Sequence, residues 1–271
     1  MAQGDSSGGI VFRDVSHVYQ GAHGPITVLD RISLVIKKGE FLALVGPSGC
    51  GKTTILDLMS GLVRLQSGTA VVGARPPAEG RPDTARMFAR DALLPWRTAF
   101  GNVAFALDSR PGAAAGRHKI EPLLNEVGLA GFEQSYPRQL SQGMRQRVAL
   151  ARTFALESDF IFLDEPFGAL DAQTKLVLQD KLLELWERIR STVVLVSHDL
   201  AEAIALADRV MVMSGRPGRI IADLQIDIAR PRSVRALQKM RAYHDLYAQL
   251  WNELERAASP GGNGSAPEGD A

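Results

Sequence analysis

The stretch Gly46-Pro47-Ser48-Gly49-Cys50-Gly51-Lys52-Thr53 constrains this chain more than any other, because it satisfies G-x-x-x-x-G-K-[ST] at every fixed position. The apolar run Phe41 to Val45 precedes it, and a helical pattern from Thr53 to Leu62 follows. Strand, glycine-rich turn and helix in that order make a phosphate cradle. The glycines let successive backbone N–H groups turn inward toward phosphate oxygens, and the helix start adds its positive end. In such a cradle Lys52 reaches the β- and γ-phosphates and the Thr53 hydroxyl holds Mg²⁺. The alternative is a glycine-rich turn with no ligand, and the flanking strand and helix argue against it.

With 271 residues, 45% of them hydrophobic, the chain can bury a core as one large domain or two small lobes. A formal net charge of +1 lacks the basic excess of a DNA binder, so no nucleic acid partner is expected. Cys50 is the single cysteine; it rules out an internal disulfide, fits a reducing compartment, and is read as compact filler of the phosphate loop rather than a redox sensor. No apolar run approaches the roughly 18 residues that span a bilayer. The polar start MAQGDSSGG lacks the apolar segment of a signal peptide. Work at a membrane would therefore require a partner there.

Taken in order, Ile10 to Tyr19 reads as a strand and Val28 to Ile36 as a half-exposed one, with a turn at Gly21 to Pro25. Tyr19 either stacks on an adenine ring through its π-face or is a half-buried strand tyrosine. Short β-like pieces follow at Thr69 to Val72 and Ala85 to Phe88. Helical patterns at Arg97 to Leu107, Lys119 to Val127 and Gln142 to Leu156, around a loose Asp108 to Arg117, predict a helical lobe over about 91–156 inserted into an α/β core. The core resumes with Phe160 to Leu163, a continuous apolar run suited to a central parallel strand. Helix Ala172 to Arg190, strand Val193 to Val196, helix Leu200 to Ala207 and a hairpin of Arg209 to Met213 with Arg219 to Ile226 complete a domain over 10–230. Val234 to Arg256 is amphipathic and reads as helical, in an extension over 231–257 that is a regulatory or dimer-stabilising element or packs on its own core. A flexible start at 1–9 and a disordered, Gly/Pro/Ser-rich tail at 258–271 are expected.

A phosphate loop needs a second half that holds the metal and orients the attacking water. The strand ending in Asp164-Glu165 can supply both, with Asp164 supporting Mg²⁺ through its water shell and Glu165 polarising the water. A merely solvated strand end is the weaker reading after four apolar residues.

Leu140-Ser141-Gln142-Gly143-Met144-Arg145-Gln146-Arg147, then Phe160 to Glu165, Gly168-Ala169-Leu170-Asp171 and Ser197-His198-Asp199, resemble in order the motifs of the ATP-binding subunit of ABC transporters. The resemblance runs from about Ile10 to Ile228. Leu93-Leu94-Pro95-Trp96-Arg97 and Arg216-Pro217-Gly218-Arg219-Ile220 are similar, more narrowly, to the ATPases of nitrate, sulfonate and taurine importers. The resemblance implies a P-loop NTPase (RecA-like) core with an antiparallel β subdomain and an inserted α-helical subdomain. ATP and Mg²⁺ are the implied cofactors, and ATP hydrolysis would drive import of a small anion from the cytoplasmic face of the membrane, where the protein is peripheral. The implied partners are transmembrane permease subunits, a second ATPase subunit in a homodimer and, indirectly, an extracytoplasmic solute-binding protein.

In that arrangement Ser141 and Gly143 of one subunit close over the γ-phosphate held by Gly46 through Thr53 and Thr54 of the other. His198 contacts the γ-phosphate, Asp171 couples the sites at the interface, and Tyr19 stacks on adenine. Phe88 to Trp96 receives a permease helix, unless it is internal packing between lobes. Two competing readings remain: a soluble ABC-type ATPase acting on ribosomes or DNA, disfavoured by the single cassette, and a catalytically silent regulatory cassette. The second is suggested by two departures from the family pattern, Gln142 where a glycine is usual and Ala89 where a metal-contacting glutamine is usual. With Lys52, Asp164, Glu165 and His198 present, active hydrolysis with a weaker metal contact is expected, a water or Arg90 or Asp91 filling the place of the glutamine.

Overall fold

In the computed structural model, which describes residues 8–108, 110 and 116–258, the continuous apolar runs become strands buried on both faces. The expected flexibility of residues 1–7, most of the loose segment before Arg117 and the disorder of 259–271 lie outside the described residues. Strands β3 (Phe41–Val45), β6 (Phe160–Asp164) and β7 (Thr192–Val196) are buried at every position. The period of two then divides each run between two cores. Phe41, Ala43, Val45, Ile161, Leu163, Val193 and Leu195 face one; Leu42, Leu44, Phe160, Phe162, Val194 and Val196 face the other.

These strands lie in a six-stranded sheet with β5 (Thr84–Met87), β8 (Arg209–Met213) and β9 (Ile220–Gln225), in the order β5-β6-β7-β3-β8-β9. All neighbours are parallel except the terminal β8–β9 hairpin. A three-stranded antiparallel sheet of β1 (Ile10–Gly21), β2 (Gly24–Ile36) and β4 (Ser67–Val72), ordered β2-β1-β4, covers one face together with helix α1 (Lys52–Ser60). The turn expected over Gly21 to Pro25 tightens to the two residues between paired Gly21 and Gly24.

The opposite face packs against α4 (Gln142–Phe154), α5 (Ala172–Ile189) and α6 (Leu200–Leu206), with α2 (Ala99–Asp108) and α3 (Ile120–Glu126) joined to the same core. The architecture is the mixed α/β one anticipated, with a mainly parallel sheet, an antiparallel sheet and helices.

The amphipathic stretch Val234 to Arg256 is built as two helices, α7 (Val234–Leu237) and α8 (Arg241–Ala258). Val234 and Leu237 seat α7 against α5 and α6, whereas Tyr243 and Leu250 seat α8 against α6, β8 and β9. Two docking surfaces demand two axes, and exposed Gln238 to Met240 absorb the change of direction. Just upstream, buried Arg232 donates to the carbonyls of Ile204, Ala207 and Ile228. A cation is favourable at that end of α6, although burial, and next the nearby Arg230, push its pKa down to about 10.

Candidate nucleotide site

The phosphate loop leaves β3 where side chains have no room. A Cβ on Gly46 would lie 2.8 Å from the Met213 carbonyl oxygen, and one on Gly51 would lie 2.5 Å from the Leu29 side chain. Both glycines also have positive φ, at 155° and 102°, so other residues would be strained there. Gly51 caps α1 without a side-chain hydrogen bond, and no acidic residue sits in the first turn. The first N–H groups of α1 are thus left for an anion. Lys52 curls back, its ammonium donating to the carbonyls of Gly46 at 2.8 Å and Pro47 at 2.9 Å. Buried Cys50 fills the space behind it, its Sγ 3.7 Å from Lys52 Nζ.

Above the loop lies a cavity of about 280 Å³ lined by Tyr19, Val28, Ser48, Gly49, Gly51, Lys52, Thr53, Thr54, Glu165, Val196 and Arg216. Tyr19, far from the loop in sequence, is therefore at the same opening as Lys52. A larger cavity, of about 640 Å³ beside α3 and α5, has its cations Lys119 and Arg188 paired with Glu157 and Glu126. It offers no free charge to a phosphate, and the smaller cavity is the one with the chemistry.

Asp164 ends β6 only 3% exposed. Its Oδ1 accepts from the Thr53 hydroxyl at 3.3 Å and its Oδ2 from Arg86 Nη2 at 3.2 Å. Burial pushes its pKa up, opposed by the Arg86 charge and the Thr53 hydrogen bond. The Thr53 and Asp164 oxygens are hard donors of the kind Mg²⁺ takes. Among the described residues no three His, Cys, Asp or Glu side chains gather as a ready-made metal cage. A magnesium ion fits here as one whose remaining ligands are phosphate and water oxygens.

The next residue, Glu165, has φ of 46°, a left-handed conformation that costs a non-glycine residue about 1–3 kcal/mol and clusters at functional sites. Its N–H donates to the Val196 carbonyl at 2.9 Å, which ties the ends of β6 and β7 together. His198, just beyond β7, places Nδ1 3.4 Å from Glu165 Oε1. The turn bearing His198 is braced by a group that sequence reasoning missed. Lys175 of α5 reaches Asp199 at 2.7 Å and Glu202 at 2.8 Å. Asp199 in turn caps α6 through the N–H groups of Ala201 and Glu202.

Ser141, Gly143 and Asp171 do not line the cavity. Ser141 caps α4, accepting from the Met144 N–H at 3.2 Å, and Asp171 caps α5, accepting from Thr174 at 3.0 Å. A Cβ on Gly143 would lie 3.1 Å from Leu170, so these two caps are neighbours on a surface of their own.

Sequence reasoning also missed Arg86. Its side chain is 7% exposed, and besides Asp164 it pairs with Asp57 of α1 at 2.9 Å. Asp91, one candidate to fill the place of the glutamine absent at Ala89, is engaged elsewhere, accepting from Arg145 Nε at 2.9 Å. We expect Ala89→Gln to lower the Mg²⁺ concentration for half-maximal ATP hydrolysis by about threefold, on the order of one weak ligand contact. Magnesium titration of ATP turnover for both proteins checks this, and coincident curves would deny the position any importance.

A phosphate loop after β3, an acidic pair closing β6 and a histidine after β7, at the carboxyl ends of adjacent parallel strands, make the molecule a P-loop ATPase. The ABC transporter family matches residues 29–168. The bicarbonate transport ATP-binding protein CmpD of Synechocystis sp. is 40% identical over 88% of this chain and 86% of its own length. The nitrate import ATP-binding protein NrtD of Synechococcus elongatus is 38% identical over 93% of each chain. Among solved structures, a post-hydrolysis dimer of the cassette MJ0796 with ADP and Pi is 28% identical, superposes with a TM-score of 0.73 and covers 81% of this chain and 100% of that one. The chain belongs to the ABC transporter family and is an ATP-binding, ATP-hydrolysing subunit of it.

Proposed function

We propose that this chain works as a peripheral subunit on a membrane permease, hydrolysing ATP as a head-to-tail homodimer to power uptake of a small anion of the nitrate, sulfonate or taurine kind. The observation that carries the reading is the division of the site: Lys52, Thr53 and Glu165 line one opening, with Asp164 bonded to Thr53 and His198 beside Glu165, while Ser141, Gly143 and Asp171 lie outside it. A second copy supplies what each half lacks. The nitrate and bicarbonate import relatives support the choice of anion, and the dimeric cassette supports the pairing. Among the described residues no helix is long and apolar enough to cross a membrane, so the permease provides the membrane contact, with a solute-binding protein acting through it.

Tyr19 receives the adenine. Lys52 exchanges its two loop carbonyls for phosphate oxygens, and the first turn of α1 donates its N–H groups to the same anion. Thr53 and Asp164 would hold Mg²⁺, which would supply charge neutralisation on the phosphates. Glu165 accepts the proton of the attacking water, and His198 sits beside it to fix that water against the γ-phosphate. From the second copy, Ser141 and the N-terminus of α4 close over the nucleotide. Closure follows from differential affinity: the two-copy contacts exist only with the γ-phosphate in place, and its loss reverses the preference.

Purified with its permease in lipid, the complex should release phosphate in the presence of Mg²⁺ and respond to a nitrate-type anion with its binding protein. Absence of turnover overturns the reading as an active subunit; turnover indifferent to every such anion overturns the solute class. Trp96 is 70% exposed and Phe88 39%, which supports Phe88 to Trp96 as the permease-receiving groove. We expect Trp96→Ala to hydrolyse ATP alone yet bind the permease roughly 10–100-fold more weakly, as loss of an exposed aromatic anchor does. Normal co-purification with the permease would exclude docking at this segment.

A further inference from the structure

We infer that Arg216 belongs to the nucleotide site, as a cation that braces the phosphate loop and contributes its charge to the bound polyphosphate. This rests on the reading of the cavity as the ATP site and adds a residue to it. Arg216 Nη2 and Nε donate to the Gly49 carbonyl at 3.1 and 3.3 Å, and its side chain lines the cavity with Tyr19, Ser48 and Lys52. The guanidinium is a cation with five N–H donors in a fixed fork. One carbonyl oxygen uses only part of that capacity.

The charge has no carboxylate partner of its own. The arginines that flank it on the same hairpin are neutralised, Arg209 by Asp223 and Glu40 and Arg219 by Asp30. Arg216 forms no ion pair among the described residues. A cation left without a carboxylate, at the mouth of a cavity whose floor is a phosphate cradle, suits an anionic ligand.

Its loop is also held where a positioning role requires. Ser214 and Arg219 close the loop, the Ser214 N–H donating to the Arg219 carbonyl at 2.9 Å. A Cβ on Gly218 would lie 2.0 Å from the Cys50 carbonyl oxygen, so only glycine lets this loop press against the phosphate loop. Gly218 exchanges backbone bonds with β2, donating to Val28 at 2.8 Å and accepting from Asp30 at 3.0 Å. On the far side the Gly215 N–H donates to Ala257 of α8 at 3.3 Å. Anchored on three sides, the loop delivers Arg216 to Gly49 without a further ordering cost when nucleotide enters.

The test is ADP binding by calorimetry, with steady-state ATP kinetics, on the full chain and on Arg216→Ala, Arg216→Gln and Arg216→Lys. The Ala and Gln proteins should bind ADP about tenfold more weakly, the effect of losing one charge-assisted contact. The loss should appear in KM with a smaller fall in kcat, and the Lys protein should recover most of it. Melting temperatures without nucleotide should agree within about 2 °C, as for surface substitutions. An Arg216→Gln protein that binds ADP within twofold of the parent overturns the role of the charge. So does a loss that Lys leaves unrepaired and that tracks a lower melting temperature, since it reports loop bracing alone. A parent protein that fails to bind ADP overturns the nucleotide site itself, whereas a parent that binds and variants that bind equally well overturn only Arg216.

Discussion

Glu165→Gln should lower ATP turnover by about 10²–10⁴-fold, the contribution of a well-placed general base, while ATP binding stays within a few-fold of the parent. Glutamine keeps the shape of the side chain and the backbone conformation at φ of 46°, but it cannot take a proton from water at neutral pH. The groups proposed to bind phosphate, Lys52 and the first turn of α1, are untouched. A fall in kcat with little change in binding is the signature of an interaction realised only in the transition state. A second consequence follows from the divided site. If γ-phosphate favours closure and its loss reverses it, a protein that binds ATP and cannot cleave it should accumulate as a two-copy species. Phosphate release and light scattering with ATP and Mg²⁺ measure both. Turnover within tenfold of the parent would remove Glu165 from its role, and a mass that stays monomeric would remove the sandwich from the proposal.

How much of this was readable beforehand depended on how far apart the interacting residues lie. The phosphate loop is contiguous, and its glycines are required by contacts with Leu29 and Met213 that any side chain would violate. The central strands were equally plain, because only burial on both faces tolerates runs such as Phe41 to Val45. Arg86 was not readable. It stands in the alternating segment Thr84–Met87, and nothing local says that its head lies between Asp57 and Asp164, each far off in sequence. Lys175 bracing the His198 turn was hidden for the same reason, as was Arg216, which sequence gave only as part of a resemblance. The break between α7 and α8 escaped because an amphipathic period reports that a face is buried, not that two surfaces receive it.

Arg86→Met should destabilise the nucleotide-free protein by about 3 kcal/mol, the cost of breaking a buried ion cluster by removing one partner. For a chain of this size that is a fall in Tm of roughly 6–12 °C. The guanidinium itself is poorly served: Nε and Nη1 are buried without acceptors, and burial pulls its pKa down against the pull of Asp164 and Asp57. Its removal nonetheless leaves Asp164, at 3% exposure, with the Thr53 hydroxyl as its remaining side-chain partner. The pH dependence follows from the sign of the Asp164 shift. A carboxyl whose pKa is raised on folding stabilises the fold fully below its unfolded value, and that contribution is lost as pH rises through the folded value. Without Arg86 the folded value rises further, so the gap between variant and parent should be small near pH 4 and widen toward neutrality. Thermal melts across that range decide the matter: a gap independent of pH, or a variant as stable as the parent at neutral pH, would contradict it. ATP with Mg²⁺ should narrow the neutral-pH gap, because a cation is then restored beside Asp164. The same pairing accounts for an arginine so incompletely satisfied: in the nucleotide-free protein it supplies, from the protein side, the positive charge beside Asp164 that a metal would supply under the proposed function.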